Sequence, residues 1–301
     1  MKKIYIAGAA GMLGDAFYKL LSKGYQLHCI DKNVRDDWQE YLDFTNKDEY
    51  AKSVENFQPD WLFHIGAETN LEECESNTEY AYLTNTKSVE NAVEIANKLN
   101  IPILYISTAG IFSAEKNFFT EEDYPAPLGV YAKSKFLGEA IVIAKANKYL
   151  IFRAGWMMGG GIRKDKKFIG EILEQIIKGA EILNIVDDKL GTPTYTHDFC
   201  KKVISLIENK KFGLFNLVCE GLTSRLEVAT KILEILDLTY EIKINKVSSA
   251  YFKAVYFAPR PDNEQLINLN LNKLKIGKMR NWELALEDYL SEYWLDEINR
   301  N

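Results

Sequence analysis

The sequence is poor in the residues from which metal centres and disulfide frameworks are built. Its 301 residues contain only four cysteines and three histidines. The cysteines, Cys29, Cys74, Cys200 and Cys219, form no CxxC pair, and the histidines are too dispersed for a ligand set. We therefore expect no metal site, and free thiols in a reducing cytoplasm rather than disulfides.

Long apolar runs and long basic runs are also missing. No stretch reaches the roughly 20 apolar residues that a membrane-spanning helix requires, and no secretory leader is recognised ahead of the first strand. The 37 basic and 43 acidic residues give a net charge of -6, without a cluster that could track a phosphate backbone. Membranes and nucleic acids are therefore not expected partners, whereas 47% hydrophobic residues suit a large globular core.

Glycine is concentrated where the first strand ends. The apolar segment Lys3–Ala7 runs directly into Gly8-Ala-Ala-Gly11-Met-Leu-Gly14, and an amphipathic stretch follows from Met12 to Lys23. In such a turn the first glycine allows the reversal, the second lets phosphates approach, and the third allows close helix–strand packing. Because amide groups at a helix start attract anions, this segment predicts a dinucleotide site.

A carboxylate follows at the expected distance. A second strand, Gln26–Ile30, ends in Asp31, 20 residues after Gly11, where the side chain could hold the adenosine ribose. That position favours NADH, since a carboxylate repels the additional phosphate of NADPH. Lys32 and Arg35 follow on what reads as a mobile loop and could neutralise this phosphate, so NADPH stays an alternative.

Strand and helix patterns alternate through the first half of the chain. Apolar runs at 61–65, 103–106 and 149–152 predict buried strands, and helical spacing covers 78–99 and 131–148. Repeated strand–helix–strand units predict an α/β fold with a doubly wound, Rossmann-like parallel sheet. We assign residues 1–154 to a dinucleotide-binding domain and residues 155–301 to a smaller substrate-binding lobe, with an approximate boundary and interleaved elements allowed.

A tyrosine and a lysine lie one helical turn apart at Tyr131 and Lys135. An ammonium beside a phenol stabilises the phenolate, and such a tyrosine can exchange a proton with a carbonyl oxygen while a hydride moves at its carbon. The spacing alone is weak evidence in a chain with 17 tyrosines. Ser107 and Thr108 strengthen it, because they end the preceding strand at the edge where ligands bind.

The chain resembles the extended short-chain dehydrogenase/reductase superfamily and, within it, the dTDP-4-dehydrorhamnose reductase family. The resemblance covers nearly the whole chain. It depends on these segments: Gly8/Gly11/Gly14, Leu42–Thr45, Ile106–Thr108, Tyr131/Lys135, Arg153 with Trp156, Gly191–Thr196, and Arg260-Pro261.

The resemblance implies roles for individual residues. Thr108, Tyr131 and Lys135 would form the catalytic triad, with Tyr131 as proton donor and Lys135 also holding the nicotinamide ribose. Trp156 and Arg260 would lie on the substrate side, with core packing and a surface ion pair as their alternatives. The remaining cofactor-binding residues implied by sequence and resemblance are Gly8, Gly11, Met12, Leu13, Asp31, Asp43, Phe44, Ala67, Thr69 and Asn85.

One segment departs from the family. After the strand-end threonine the family usually carries Asp-Tyr-Val-Phe, whereas this chain has Ala109-Gly110-Ile111-Phe112. A carboxylate and a phenol that could touch the sugar are thus missing from this segment.

The resemblance implies an NAD(P)H-dependent reductase of a nucleotide-linked 4-keto-6-deoxy sugar that serves surface polysaccharide synthesis. The alternatives are an epimerase or dehydratase on the same scaffold, and a non-catalytic dinucleotide-binding regulatory subunit. The expected partner is the nucleotide sugar, and a homodimer is a further expectation.

Overall fold

The computed structural model describes residues 1–299. The strands are β1 (Lys3–Ala7), β2 (Gln26–Asp31), β3 (Glu40–Tyr41), β4 (Trp61–His64), β5 (Ile103–Thr108), β6 (Tyr149–Ala154), β7 (Trp156–Met158), β8 (Ile182–Val186), β9 (Leu190–Gly191), β10 (Pro193–Tyr195), β11 (Gly213–Asn216), β12 (Thr223–Ser224) and β13 (Lys243–Val247).

The helices are α1 (Met12–Leu21), α2 (Lys47–Phe57), α3 (Leu71–Ser76), α4 (Thr78–Tyr82), α5 (Ser88–Lys98), α6 (Val130–Lys145), α7 (Gly161–Lys164), α8 (Phe168–Ile177), α9 (Thr196–Glu208), α10 (Arg225–Ile235), α11 (Leu269–Lys273), α12 (Trp282–Tyr293) and α13 (Leu295–Asn299). A π-helical turn spans Leu83–Lys87, and 3₁₀ turns span Ala109–Ile111 and Ser249–Phe252.

Seven parallel strands form the central sheet in the order β11-β6-β5-β4-β1-β2-β3. The order reverses at β1, so the crevice for a ligand opens at the carboxyl ends of β1 and β4. The predicted doubly wound parallel sheet is confirmed.

Alternating side chains of each strand face the two helical layers. In β1, Ile4 and Ile6 pack with α1 and α9, whereas Tyr5 and Ala7 pack with α2, α5 and α6. All four side chains are at most 1% exposed, as expected where helices cover both faces of a parallel sheet. Helix α2 was not predicted, since its stretch is polar apart from a narrow apolar face.

The second half of the chain builds a separate core and also returns to the main sheet. Helices α8, α10 and α12 pack around β8 and β10. Strand β11 extends the central sheet beside β6, and α9 packs on α1. The boundary at residues 154 and 155 stays a prediction, and the elements interleave across it.

The glycine run 159–161 leads into a short helix. Gly160 and Gly161 take positive φ angles of 72° and 59°, and α7 begins at Gly161. Among residues 1–299 no helix is long and apolar enough to cross a membrane. All four cysteines are buried free thiols.

Candidate active site

The glycine turn after β1 leaves one side open for a ligand. A Cβ on Gly8, which has φ of +94°, would lie 2.2 Å from the backbone of Gly66, and one on Gly14 would lie 2.1 Å from the carbonyl oxygen of Ala9. Both glycines are therefore required by close packing. A Cβ on Gly11 would meet nothing nearer than 4.0 Å. The backbone at Gly11 is thus accessible, which fits a pyrophosphate approaching the turn.

Helix α1 presents its first amide groups beside this open space. Met12 and Leu13 occupy its first turn, and Leu13 anchors it in the core at 9% exposure. No side chain caps the helix at Gly11. Because the first turn of an α-helix leaves its N–H groups without helical partners, these groups can bind an anion here.

Asp31 lies at the end of β2, beside the same turn. Its carboxylate accepts hydrogen bonds from the Ala10 amide at 3.0 Å and the Asn33 amide at 2.8 Å. Lys32 lies over the ring of Tyr80, 4.6 Å from its centre, and Arg35 reaches the carbonyl oxygen of residue 163. The two basic side chains are therefore held by protein contacts in this structure.

Asp43 and Phe44 form the turn that follows β3. The Asp43 carboxylate accepts a hydrogen bond from the Thr45 amide at 2.9 Å and another from the Thr45 hydroxyl at 2.7 Å. The Phe44 ring packs edge-on against His64, 5.0 Å between centres, and only 6% of the residue is exposed. The ring of Phe44 thus belongs to the core, and contacts of Asp43 and Phe44 with adenine stay predictions.

The loop after β4 is tied to both halves of the molecule. Ala67 and Thr69 lie in this loop, and Thr69 accepts two hydrogen bonds of 3.1 Å from the Lys167 ammonium, through its carbonyl and hydroxyl oxygens. Lys167 immediately precedes α8 of the second lobe. The loop therefore borders the cleft between the lobes, where Ala67 and Thr69 were predicted to line the cofactor path.

Asn85 connects that loop to helix α6. Its Oδ1 accepts from the Glu68 amide at 2.8 Å, and its Nδ2 donates to the Glu68 carbonyl at 3.0 Å and to Ser134 Oγ at 3.1 Å. Asn85 is fully buried in the π-helical turn, a type of distortion that is frequent at functional sites. Its carboxamide positions the loop and α6 relative to each other.

The structure brings the three predicted catalytic residues to the carboxyl end of β5. Thr108 is the last residue of β5, and its side chain lies beside the phenol of Tyr131 on α6. The Lys135 ammonium lies 4.3 Å from the ring centre of Tyr105, whose hydroxyl donates to the Lys135 carbonyl at 2.9 Å. Gly138 permits this approach, because a Cβ there would lie 2.6 Å from the Tyr105 hydroxyl.

Burial shifts the pKa values of Tyr131 and Lys135. It lowers the pKa of Lys135 to about 7, and the Glu139 carboxylate opposes this by favouring the ammonium. Burial also raises the pKa of Tyr131, an effect that the neighbouring Thr108 opposes. The sequence analysis expects a lysine ammonium to stabilise the phenolate, whereas the protein alone keeps Tyr131 as a neutral phenol.

A buried ion pair holds α6 against β6. Arg153 donates to Glu139 through Nε at 3.1 and 3.2 Å and through Nη2 at 2.6 Å. The side chains of Arg153 and Glu139 are 4% and 0% exposed. A bidentate guanidinium–carboxylate pair has a defined geometry, so it sets the distance between helix α6 and the sheet.

The second lobe contributes Trp156 to the opposite side of the cleft. A Cβ on Gly191 would lie 2.2 Å from the indole, so glycine at this position lets the ring rest against the backbone of β9. The indole Nε1 donates to Glu264 at 2.8 Å. The Arg225 guanidinium lies against the rings of both Trp156 and Phe168, 5.4 and 4.8 Å from their centres.

Arg225 and Glu264 were missed by the sequence reasoning. No local pattern identifies them, since they lie 69 and 108 residues after Trp156 in the sequence and meet only through the fold. Among residues 1–299 no acidic side chain lies within 4.0 Å of the Arg225 guanidinium, and its buried Nε has no hydrogen-bond partner. Arg225 is therefore a cation available to a ligand.

Arg260 is held by a carboxylate of the dinucleotide-binding half. Its Nη1 and Nη2 donate to Glu72 at 2.7 and 2.9 Å, and Nη1 also donates to the Ala258 carbonyl at 3.0 Å. The ion-pair alternative for Arg260 is therefore present in this structure. A contact of Arg260 with substrate stays a prediction.

The fold and the site together define an NAD(P)-dependent oxidoreductase of the short-chain dehydrogenase/reductase type. An open glycine turn lies at the switch point of the sheet, and a Thr/Tyr/Lys set lies at the end of β5, facing a second lobe.

Comparisons with known proteins identify the family within this class. The family described as RmlD substrate binding domain matches residues 1–295, and the chain belongs to it. The dTDP-4-dehydrorhamnose reductase of Aggregatibacter actinomycetemcomitans is 28% identical over 96% of this chain and 98% of its own length. The spore coat polysaccharide biosynthesis protein SpsK of Bacillus subtilis is also 28% identical, over 97% of this chain and 98% of its own length.

A solved structure supports the same assignment. The dTDP-4-dehydrorhamnose reductase of Bacillus anthracis, in complex with NADP, superposes with a TM-score of 0.88 at 27% identity. The match covers 97% of this chain and 100% of that one. The predicted family is confirmed over nearly the whole length of the chain.

Proposed function

We propose that the protein reduces the keto group of a nucleotide-linked 4-keto-6-deoxy sugar with NAD(P)H, as a step in surface polysaccharide biosynthesis. The observation that carries this proposal is the convergence of Thr108, Tyr131 and Lys135 at the carboxyl end of β5, at the same edge of the sheet as the accessible turn at Gly11. The names of the reductase and polysaccharide relatives support it.

In the proposed reaction Tyr131 donates a proton to the carbonyl oxygen. A reduced dinucleotide held at the glycine turn would supply the hydride for the carbonyl carbon. Burial raises the pKa of Tyr131, so the phenol carries the proton that reduction needs. Thr108 orients the same oxygen through its hydroxyl. The Lys135 ammonium stabilises the phenolate that remains and holds the nicotinamide ribose.

The residues proposed to hold the dinucleotide divide by the part of the molecule they would meet. The amides at Gly11, Met12 and Leu13 suit the pyrophosphate, and Asp31 suits the adenosine ribose. Gly8 shapes the turn itself. The other proposed cofactor contacts are Asp43, Phe44, Ala67, Thr69 and Asn85.

On the substrate side we propose contacts from Trp156 and from a cationic group. Arg260 would reach the diphosphate only by sharing or releasing Glu72, which occupies the edge of its guanidinium. Arg225 needs no such release. A diphosphate recognised by guanidinium groups at this position suits a nucleotide sugar.

We propose NADH as the preferred cofactor, with NADPH as the alternative. Asp31 is held by two backbone amides beside the glycine turn, and its charge opposes a 2′-phosphate there. The ratio of kcat/KM for the two cofactors tests this. A ratio tenfold or more in favour of NADPH would contradict it, and Asp31→Ala is expected to shift the ratio towards NADPH.

Purified protein supplied with NADH or NADPH and a panel of nucleotide-linked 4-keto sugars tests the proposed reaction. Stoichiometric oxidation of the cofactor with formation of the reduced sugar is expected. Tightly retained dinucleotide without net consumption would favour an epimerase or dehydratase. Cofactor binding without any turnover would favour a regulatory subunit.

Two further expectations accompany this proposal. Four buried free thiols suit a reducing compartment, so we propose a cytoplasmic location. A homodimer is proposed from the family resemblance, and light scattering of the purified protein would test it.

A further inference from the structure

The turn that follows Thr108 leaves space beside the catalytic hydroxyl. Ala109, Gly110 and Ile111 form a buried 3₁₀ turn, and Thr108 Oγ1 accepts a hydrogen bond from the Gly110 amide at 3.1 Å. None of the three residues carries a polar side chain. The carboxylate and phenol that the family usually places at positions 109 and 110 are therefore absent from this segment.

A carboxylate from a distant part of the chain lies at this position instead. The point that a Cβ on Gly110 would occupy is 3.1 Å from Glu264 Oε1 and 3.5 Å from Thr108 Oγ1. Glu264 Oε1 and Thr108 Oγ1 thus both border the same small space beside Gly110. Any side chain larger than hydrogen at residue 110 would crowd it.

The other carboxylate oxygen of Glu264 is already bound. Oε2 accepts the 2.8 Å hydrogen bond from the Trp156 indole, whereas Oε1 has no hydrogen-bond partner among residues 1–299. Burial raises the pKa of Glu264, and the positive charge of Arg225 counteracts this. One acceptor therefore faces the cleft, next to a residue predicted to contact substrate.

The backbone around Glu264 is anchored on both sides, so the position of the carboxylate is well defined. The Glu264 amide donates to the Leu190 carbonyl at 2.8 Å. Asn263 donates to the carbonyl of Asn117 at 3.0 Å, and Gln265 donates to that of Thr223 at 3.0 Å. A pre-positioned acceptor loses little entropy when it binds a ligand.

We propose that Glu264 is a specificity-determining residue, whose Oε1 accepts a hydrogen bond from the sugar hydroxyl on the carbon next to the carbonyl carbon. This inference rests on the proposed function. In a 4-keto-6-deoxy sugar the carbonyl carbon has two neighbours, and only carbon 3 carries a hydroxyl. The carboxylate then selects sugars with a hydrogen-bond donor at carbon 3 and rejects sugars that carry an anionic group there.

A structural role for Glu264 makes a different prediction. If the carboxylate served only to hold Trp156, its loss would impair every substrate to the same extent. If it binds the 3-hydroxyl, its loss impairs only substrates that have this hydroxyl. The ratio of the kcat/KM values for two substrates therefore separates the two roles, because effects on folding and on cofactor binding cancel in this ratio.

The experiment compares kcat/KM for a nucleotide-linked 4-keto-6-deoxy sugar with kcat/KM for its 3-deoxy counterpart. The wild-type protein is expected to prefer the 3-hydroxy substrate by roughly tenfold to a hundredfold, the range for a hydrogen bond to a charged group. Glu264→Ala is expected to bring this preference close to one. Trp156→Phe, which keeps an aromatic ring but removes the indole donor, is expected to reduce the preference partially.

Glu122→Ala is the matched control, since Glu122 is an exposed carboxylate paired with Lys273 away from the cleft. It is expected to keep the wild-type preference. A Glu264→Ala protein that also keeps this preference would overturn the inference. If the wild-type protein turns over none of the 4-keto sugar nucleotides, the proposed function is rejected instead. In either case, the dissociation constant of the dinucleotide shows whether each protein is folded.

Discussion

The two sides of the cleft are built by different means. On the dinucleotide side, the functional groups are set by local backbone geometry, namely a glycine turn, strand ends and one turn of helix α6. On the substrate side, Trp156, Arg225 and Glu264 come from three separate segments, whose backbones all hydrogen-bond to residues 189–192. Their side chains meet there. This difference teaches that the proposed reaction chemistry can be recognised from short motifs, whereas the proposed sugar contacts of Arg225 and Glu264 are described by no motif.

The ion pairs of the two sides differ in the same way. Arg153 and Glu139 are almost fully buried and bind each other in bidentate geometry behind the catalytic helix. Arg260 and Glu72 also form a bidentate pair, but their side chains are 23% and 21% exposed. We expect the first pair to serve stability and the second to be open to exchange with a ligand.

The largest expected effect follows from breaking the buried pair. Glu139→Ala leaves the Arg153 guanidinium buried without its partner, which typically destabilises a protein by about 3–5 kcal/mol. Glu72→Ala is expected to lower the free energy of unfolding by about 1 kcal/mol or less, because water can replace the carboxylate. Urea unfolding of both variants measures the difference. Equal decreases in the free energy of unfolding would contradict the proposed distinction between the two ion pairs.

The next effect concerns the proton donor. Tyr131→Phe removes only the phenolic oxygen, so we expect kcat to fall roughly a hundredfold or more. The dissociation constant of the dinucleotide, measured by fluorescence titration, is expected to stay at the wild-type value. Tyr105→Phe is a useful control, since its hydroxyl binds the Lys135 carbonyl and does not lie in the cleft. A Tyr131→Phe variant with near-normal turnover would exclude Tyr131 as proton donor.

The cations of the substrate side give a prediction of intermediate size. Arg260→Ala is expected to raise KM for the sugar nucleotide between several-fold and about a hundredfold, as for a charged hydrogen bond to a diphosphate. The dissociation constant of the dinucleotide is expected to stay unchanged. Arg225→Ala provides the comparison, because its guanidinium needs no release from an acid. Loss of cofactor affinity in Arg260→Ala would show that the second lobe is wrongly placed in the proposal.

The smallest effect, at one pH unit above neutrality, is a pH dependence from the dinucleotide side. Since burial lowers the pKa of Lys135 to about 7, the ammonium is fully present below this pH and is lost above it. We expect kcat/KM to fall about tenfold for each pH unit above 7. In Lys135→Arg the guanidinium keeps its charge, so this descending limb is expected to disappear, at a lower overall rate. A wild-type profile that stays flat up to pH 9 would contradict the assignment.

Much of the fold could be predicted because its signals are local. Apolar runs marked the strands β1, β4 and β5, and their alternation with helical spacing indicated the parallel sheet. Predictions were weaker where the local pattern is ambiguous. The polar stretch that forms α2 has few apolar positions, and the helical segment 78–99 is interrupted by the π-helical turn that carries Asn85.

The sequence by itself determined the parallel sheet, the glycine turn and the Tyr131/Lys135 spacing, because each depends on the conformational preferences of neighbouring residues. Only the tertiary structure decided the environment of these groups. Burial, which no local pattern reports, makes Tyr131 a neutral phenol and lowers the pKa of Lys135. Folding also joined Glu72 to Arg260 and Glu264 to the space beside Gly110, since such contacts link residues more than 150 positions apart in the sequence.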